Sequence, residues 1–120
     1  MFEKVAFTMY PVEDPARARA FYEGTLGLTV GKHSDNGIWT EYDLPGGGCL
    51  ALFATRDMKP SADAGGTVAF EVEDLDALIA RLKGEGVRFK AEMIHSPVCR
   101  MSVILDSEGN SILLHELKKG

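Results

Sequence analysis

Residues 5–28, VAFTMYPVEDPARARAFYEGTLGL, and residues 68–89, VAFEVEDLDALIARLKGEGVRF, are two versions of one pattern. Setting Glu13-Asp14 over Glu73-Asp74 brings Phe7 onto Thr67 and Gly24 onto Gly84, all at one spacing of sixty positions in a chain of 120 residues. A solenoid needs at least about three stacked units, so a repeat of half the chain, occurring twice, predicts two similar supersecondary modules instead. Module one takes about residues 1–58 and module two about 65–118, within one domain over 1–120.

In module one, Phe2 to Tyr10 reads as a strand. Asp14 then stands as an N-cap before Pro15, whose missing N–H costs nothing at the first helical position. The helix runs to about Leu26, with Gly24 and Gly27 near its end, where left-handed backbone is needed. Three extended runs follow, LTVGKH, IWTEYDL and CLALFAT, separated by the turn sequences SDNG and PGGG. PGGG is a hairpin loop rather than a phosphate cradle, since neither a helix nor Lys-Ser/Thr follows it. Module two repeats the order. A strand from Thr67 to Glu73 leads to the N-cap Asp74 and to a helix striped by Leu75, Leu78, Ile79 and Leu82, ended by Gly84 and Gly86. Strands follow near Arg88 to Ile94, Cys99 to Leu105 and Ser111 to Leu117, the last two joined by DSEGN with Gly109 at a left-handed position. The fold class is α+β: two βαβββ modules forming a curved mixed sheet around a cavity.

Alternation along the strands assigns the faces. Val68, Phe70 and Val72 pack under the second helix, leaving Thr67, Ala69 and Glu71 on the other side. Leu50 and Leu52 go under the first helix, while Cys49, Ala51 and Phe53 point away; Ile112 and Leu114 go under, while Leu113 and His115 point away. In IWTEYDL, Ile38, Tyr42 and Leu44 share one face and Trp39, Glu41 and Asp43 the other. A second face rich in small and polar residues suits a ligand cavity better than a second helix layer.

Composition removes several function classes. A net charge of −5, with Lys and Arg scattered, argues against nucleic acid. With 45% hydrophobic residues and no stretch near the ~20 apolar residues of a membrane span, no membrane is expected. The N-terminal MFEKVAFTMY lacks the features of an export signal, so the expected location is cytoplasmic, and Cys49 and Cys99, fifty positions apart, are read as reduced thiols.

The helix sequence VEDPARARAFYEGTLGL, with its acidic cap, Phe-Tyr and Leu-Gly-Leu, and the turn and strand DSEGNSILLH together resemble the vicinal oxygen chelate superfamily, which includes glyoxalase I, extradiol dioxygenases and bleomycin-binding resistance proteins. The likeness spans nearly the whole chain, and Ser107 stands where the family's turn usually has proline. The resemblance implies a divalent metal held by His, Gln or Glu from both modules. Carried over by motif, those positions are Phe7, Ala51, Thr67 and Leu113, none of which is a normal ligand for such an ion. No cofactor is therefore expected, and a member lacking the usual metal ligands is the reading; relocated ligands such as His115, Glu71 and Cys99 are the alternative.

His115 is the best polar candidate on the cavity face, as general base or hydrogen-bonding group, against a histidine satisfied by a neighbouring strand or water. If DSEGN sets Asp106 opposite Asn110, His115 falls opposite Met101, with Cys99 and Val103 on the same face and Arg100 sent to the helix side. A register slip would put Arg100 and Ser102 in the cavity instead; both stay open and the first is preferred. Candidate catalytic residues are His115, Cys99 and Glu41, and candidate ligand contacts are Phe7, Met9, Trp39 and Phe53 in module one and Thr67, Met101, Leu113 and His115 in module two. Glu41 and Glu71 could work as an acid–base pair only if burial moved their pKa values apart; a solvated rim is the simpler role. His33 and His95, near turns, are read as solvated.

Three functions compete: a metal-free protein that binds a small organic ligand, a lyase or isomerase acting on a carbonyl compound, and an accessory domain that docks another protein. The resemblance and the open sheet edges also imply a homodimer.

Overall fold

A computed structural model describes residue 1 and residues 3–118. The chain divides after Pro60 into two compact units, each a four-stranded mixed sheet with one helical segment. This is the α+β, two-module βαβββ architecture, with two open sheets, one per module, in place of the single mixed sheet expected, because each first strand pairs with the last strand of its own module.

Module one runs β1 (Thr8–Val12), α1 (Pro15–Arg19), a π-helical continuation (Ala20–Thr25), β2 (Val30–His33), β3 (Trp39–Asp43) and β4 (Cys49–Ala54). Its sheet order is β1-β4-β3-β2, with β1 parallel to β4 and the other pairs antiparallel. Module two runs β5 (Val68–Glu71), α2 (Leu75–Gly84), β6 (Phe89–His95), β7 (Cys99–Leu105) and β8 (Ser111–Leu117), in the matching order β5-β8-β7-β6. The sixty-residue echo is therefore structural: Thr8 and Val68 open the first strands, and Asp14 and Asp74 cap the helices by accepting the Arg17 and Ala77 amides at 3.1 Å each.

Several boundaries differ from the sequence reading. Phe2, read as the start of the first strand, lies outside the described residues, and β1 begins only at Thr8. Its ladder runs from Thr8 opposite Leu50 to Val12 opposite Ala54, so the residues just before Thr8 reach back past the glycine loop that precedes β4 and find little strand to pair with. Likewise β5 spans Val68–Glu71 rather than Thr67 to Glu73, and β2 starts at Val30. The first helix is α-helical for five residues only, then widens. Glycine and threonine at 24 and 25 weaken the α form, and the wide turn seats the fully buried Tyr22 ring against Tyr42, 5.9 Å away and nearly parallel. Gly24 lies within this turn; the positive φ is at Gly27 (74°).

The helix-facing cores follow the alternation. Val12, Tyr22, Tyr42, Leu50 and Leu52 are buried in module one, and Leu75, Ile79, Leu82, Ile104, Ile112 and Leu114 in module two. Ile38, expected under the first helix, is 40% exposed because it precedes β3. Buried polar groups are satisfied: Tyr42 donates its hydroxyl to Glu23 Oε2 at 2.9 Å, and Arg19 holds the same carboxylate through Nε at 2.6 Å. Arg19, aided by the Tyr42 hydroxyl, keeps the Glu23 carboxyl below its ordinary value, while burial and then the hydrogen bond to Glu23 push the Tyr42 phenol up.

In module two the DSEGN turn sets the register. Asp106, 1% exposed, accepts the Glu108 and Asn110 amides at 2.8 Å each and the Asn110 side-chain amide at 3.1 Å. Gly109 supplies the positive φ of 94° that a β-carbon would strain. His115 then lies opposite Met101 and Leu117 opposite Cys99, the first of the two registers considered. Arg100 goes to the helix side but stays at its margin, bridging Asp76 of α2 (3.0 and 3.2 Å) and Glu116 of β8 (2.8 and 3.1 Å). Glu116 also accepts the Leu75 amide at 2.9 Å, so a strand carboxylate helps cap the helix.

Two consequences are measurable. Asp106→Ala leaves three donors of the turn without their acceptor and is expected to cost about 3 kcal/mol of unfolding free energy, whereas Tyr42→Phe costs about 1 kcal/mol, both read by urea denaturation. The Glu23 carboxyl is depressed below 4.5, so its contribution is fully present above that pH and lost as pH falls through the folded value. The stability advantage of the natural protein over Glu23→Gln is therefore expected to be constant at neutral pH and to shrink on acidification below about 4.5; an advantage that grows in acid contradicts the assignment.

Candidate functional site

The face of the module-one sheet turned away from its helix carries Met9 from β1, Trp39 and Glu41 from β3, and Cys49, Ala51 and Phe53 from β4. Register places Met9 and Glu41 on either side of Ala51, and Pro11 and Trp39 on either side of Phe53. Phe7, one residue before β1, is 45% exposed and stands edge-on to Trp39, ring centroids 5.3 Å apart at 85°, while Phe53 meets the indole at 5.6 Å and 63°. Three aromatic rings thus form one cluster beside Met9, Ala51 and Cys49. The indole N–H donates to Glu41 Oε2 at 2.7 Å, and the Cys49 thiol lies 3.9 Å from Glu41 Oε1. Both oxygens of Glu41 are therefore engaged in holding its neighbours. Burial, then the Glu41 and Asp43 charges, push the Cys49 thiol up, which keeps it protonated and unreactive.

The corresponding face of module two carries Ala69 and Glu71 from β5, Leu113 and His115 from β8, and Cys99, Met101 and Val103 from β7. Thr67 is exposed, one residue before β5. Leu113 is half-buried between Ala69 and Val103. Cys99 is buried, its sulfur 3.0 Å from Ser96 Oγ, a position suited to packing rather than attack. His115 is half-buried, with Nδ1 2.6 Å from Glu71 Oε1, and Glu71 Oε2 accepts the Leu117 amide at 3.0 Å. The hydrogen bond from His115, then that from Leu117, hold the Glu71 carboxyl below its ordinary value.

The structure thus pairs His115 with Glu71 and leaves Cys99 with Ser96. Glu41 and Glu71 each have partners within their own module, and His33 and His95 are exposed. The Glu71–His115 pair was not read from sequence, although both residues were assigned to one face. The missing signal was the parallel register of β5 and β8, which sets Val68 opposite Ile112 and so Glu71 opposite His115. A further concavity of module one, about 510 Å³, lies at the ends of β1 and β4 between Val12, Ala54, Met58 and Lys59, and contains none of the eight candidate ligand contacts.

The family's metal does not fit the four positions carried over by motif: a phenyl ring, a methyl group, a hydroxyl and an isobutyl group supply at most one weak oxygen donor. Among the described residues, no group of three or more His, Cys, Asp or Glu side chains is arranged to hold a metal ion, so the relocated set of His115, Glu71 and Cys99 is not assembled. Also among the described residues, no helix is long and apolar enough to cross a membrane.

Solved structures share the fold along almost the full chain. TnmS3, described as an antibiotic binding protein from Streptomyces sp. CB03234, superposes with a TM-score of 0.79 at 23% identity, covering 98% of both chains. A lactoylglutathione lyase from Agrobacterium tumefaciens gives 0.73 at 20% identity over 95% of this chain and 93% of its own. A superfamily member from Sphaerobacter thermophilus DSM 20745 gives 0.74 at 24%, over 94% and 98%. At these identities the likeness establishes the fold alone, and no curated protein sequence matches the chain significantly. The family profile described as Glyoxalase/Bleomycin resistance protein/Dioxygenase superfamily matches residues 4–114, nearly the whole repeat-bearing chain, and the protein belongs to that superfamily.

Proposed function

We propose that this protein binds a small organic ligand on the helix-averted faces of its module sheets, without a divalent metal. The observation that carries the reading is the Phe7–Trp39–Phe53 cluster: three rings gathered on the face where the family's metal positions offer Phe7 and Ala51 instead of donors. Aromatic surface with few polar groups suits binding by contact area rather than bond-breaking. That a protein of this fold, TnmS3, is described as antibiotic-binding supports such a use. In module one the proposed contacts are Phe7, Met9, Trp39 and Phe53; in module two they are Thr67, Met101, Leu113 and His115.

The proposal takes the chain as one glyoxalase-like domain working in the cytoplasm as a homodimer. Each sheet has two edge strands, β1 and β2 or β5 and β6, and a second copy would cover such edges. One observation favours a second reading, a lyase or isomerase acting on a carbonyl compound: His115 is oriented by Glu71, as a general base would be. Cys99 and Glu41, the other candidates for that chemistry, are occupied by structural contacts.

Three measurements test these statements. After incubation with zinc, nickel, manganese or ferrous ion and desalting, retained metal is expected to fall far below one per chain; one per chain overturns the metal-free reading and puts an enzyme with relocated ligands first. Titration with bleomycin and a panel of aromatic antibiotics, followed by the fluorescence of the single tryptophan, Trp39, is expected to give a saturable change for at least one compound. Trp39→Phe and Phe53→Ala, followed calorimetrically, should weaken that compound about tenfold or more; no saturable response from any compound ends the reading. Sizing across a concentration series should show a dimer, and only monomer at micromolar protein rejects it.

A further inference from the structure

Glu71 and His115 face each other across the parallel β5–β8 pair, and their chemistry fixes more than a contact. An ionised carboxylate can only accept, so the proton of the 2.6 Å hydrogen bond sits on Nδ1 of His115. The second carboxylate oxygen is taken by the Leu117 amide, which holds Glu71 in this orientation. In a neutral imidazole with Nδ1 protonated, Nε2 carries the lone pair. No hydrogen bond to Nε2 is made among the described residues, and the His115 side chain is 26% exposed, so the atom is within reach from outside. Its neighbours on the same face are apolar: Met101 directly across, Leu113 two residues back and Ala69 beside it.

We propose that Nε2 of His115 is an acceptor site for a phenolic or enolic hydroxyl on an apolar ring, with Glu71 the positioning residue that fixes the tautomer. The inference rests on the small-molecule reading above and narrows its ligand class. An acidic hydroxyl is a strong donor to an imidazole lone pair, while Met101 and Leu113 offer thioether and aliphatic contact to a ring. A carboxylate or phosphate would bring acceptor against acceptor with the Glu71 charge close behind, so anionic ligands are disfavoured.

The test uses 1-naphthol and 1-methoxynaphthalene, which share a ring system and differ in the donor proton. Long-range proton–nitrogen spectra of the intact protein at about pH 8 should show His115 protonated at Nδ1 alone; the opposite tautomer or a ring protonated at both nitrogens overturns the proposal. 1-Naphthol should shift Nε2 of His115 and bind about tenfold more tightly than 1-methoxynaphthalene, the worth of one hydrogen bond. The preference should vanish in His115→Phe and diminish in Glu71→Gln, which keeps the shape but mixes the tautomers; thermal melts of both variants verify folding. Equal affinity for the two compounds overturns the inference while leaving the small-molecule reading intact. Binding of neither, together with no tryptophan response to the antibiotic panel, overturns both.

Discussion

Because side chains alternate across a strand, the pairing of β7 with β8 assigns a face to every residue of both, and that pairing is set at its turn by one carboxylate. Asp106 gathers three donors of the DSEGN segment, which aligns Asp106 with Asn110 and so Met101 with His115. A slip of one residue would turn Arg100 toward the opposite face and separate it from Asp76 and Glu116, which meet it on the helix side. The turn and the ion cluster at the far end of the same strands therefore enforce one register from both ends. Glu116 extends the same logic to α2, since the carboxylate that binds Arg100 also receives the first helical amide.

The two modules use the same scaffold for different surfaces. In module one, the averted face is aromatic, and its Glu41 carboxylate is spent on the indole and the Cys49 thiol. In module two, the equivalent face is aliphatic around a single polar pair, Glu71 and His115. Neither presents the imidazole and carboxylate set that metal-dependent members of the superfamily use, because Phe7, Ala51, Thr67 and Leu113 stand at those positions.

Much of this is legible in the amino-acid sequence itself. The sixty-residue echo predicted the modules, the capping aspartates Asp14 and Asp74 located both helices, and β7 and β8 begin and end where their sequences suggest. The strand faces followed from alternation. The differences arise where a distant partner decides the outcome. β1 is short because its ladder needs β4, forty-two residues on; the wide turn of the first helix seats Tyr22 on Tyr42, a contact that local propensity does not reveal. The Ser96 hydroxyl against the Cys99 sulfur depends on the β6–β7 turn, which the sequence of β7 alone does not show. The Glu71–His115 pair needed the β5–β8 register, which nothing in either strand specifies alone.

That pair has a consequence for how the chain sorts its own halves. A polypeptide with two similar modules can seat a strand in the wrong copy while it collapses. Pro11 is the counterpart of Glu71 at the repeat spacing, and by ladder register Phe53, opposite Pro11, takes the place that His115 holds opposite Glu71. If β1 lay against β8 in the equivalent register, the His115 ring and the Leu117 amide would meet a proline and lose their carboxylate; if β5 lay against β4, Glu71 would abut Phe53. Only the pairing of β5 with β8 lets the His115 ring and the Leu117 amide share one carboxylate, so this single rung distinguishes the right first strand from its copy.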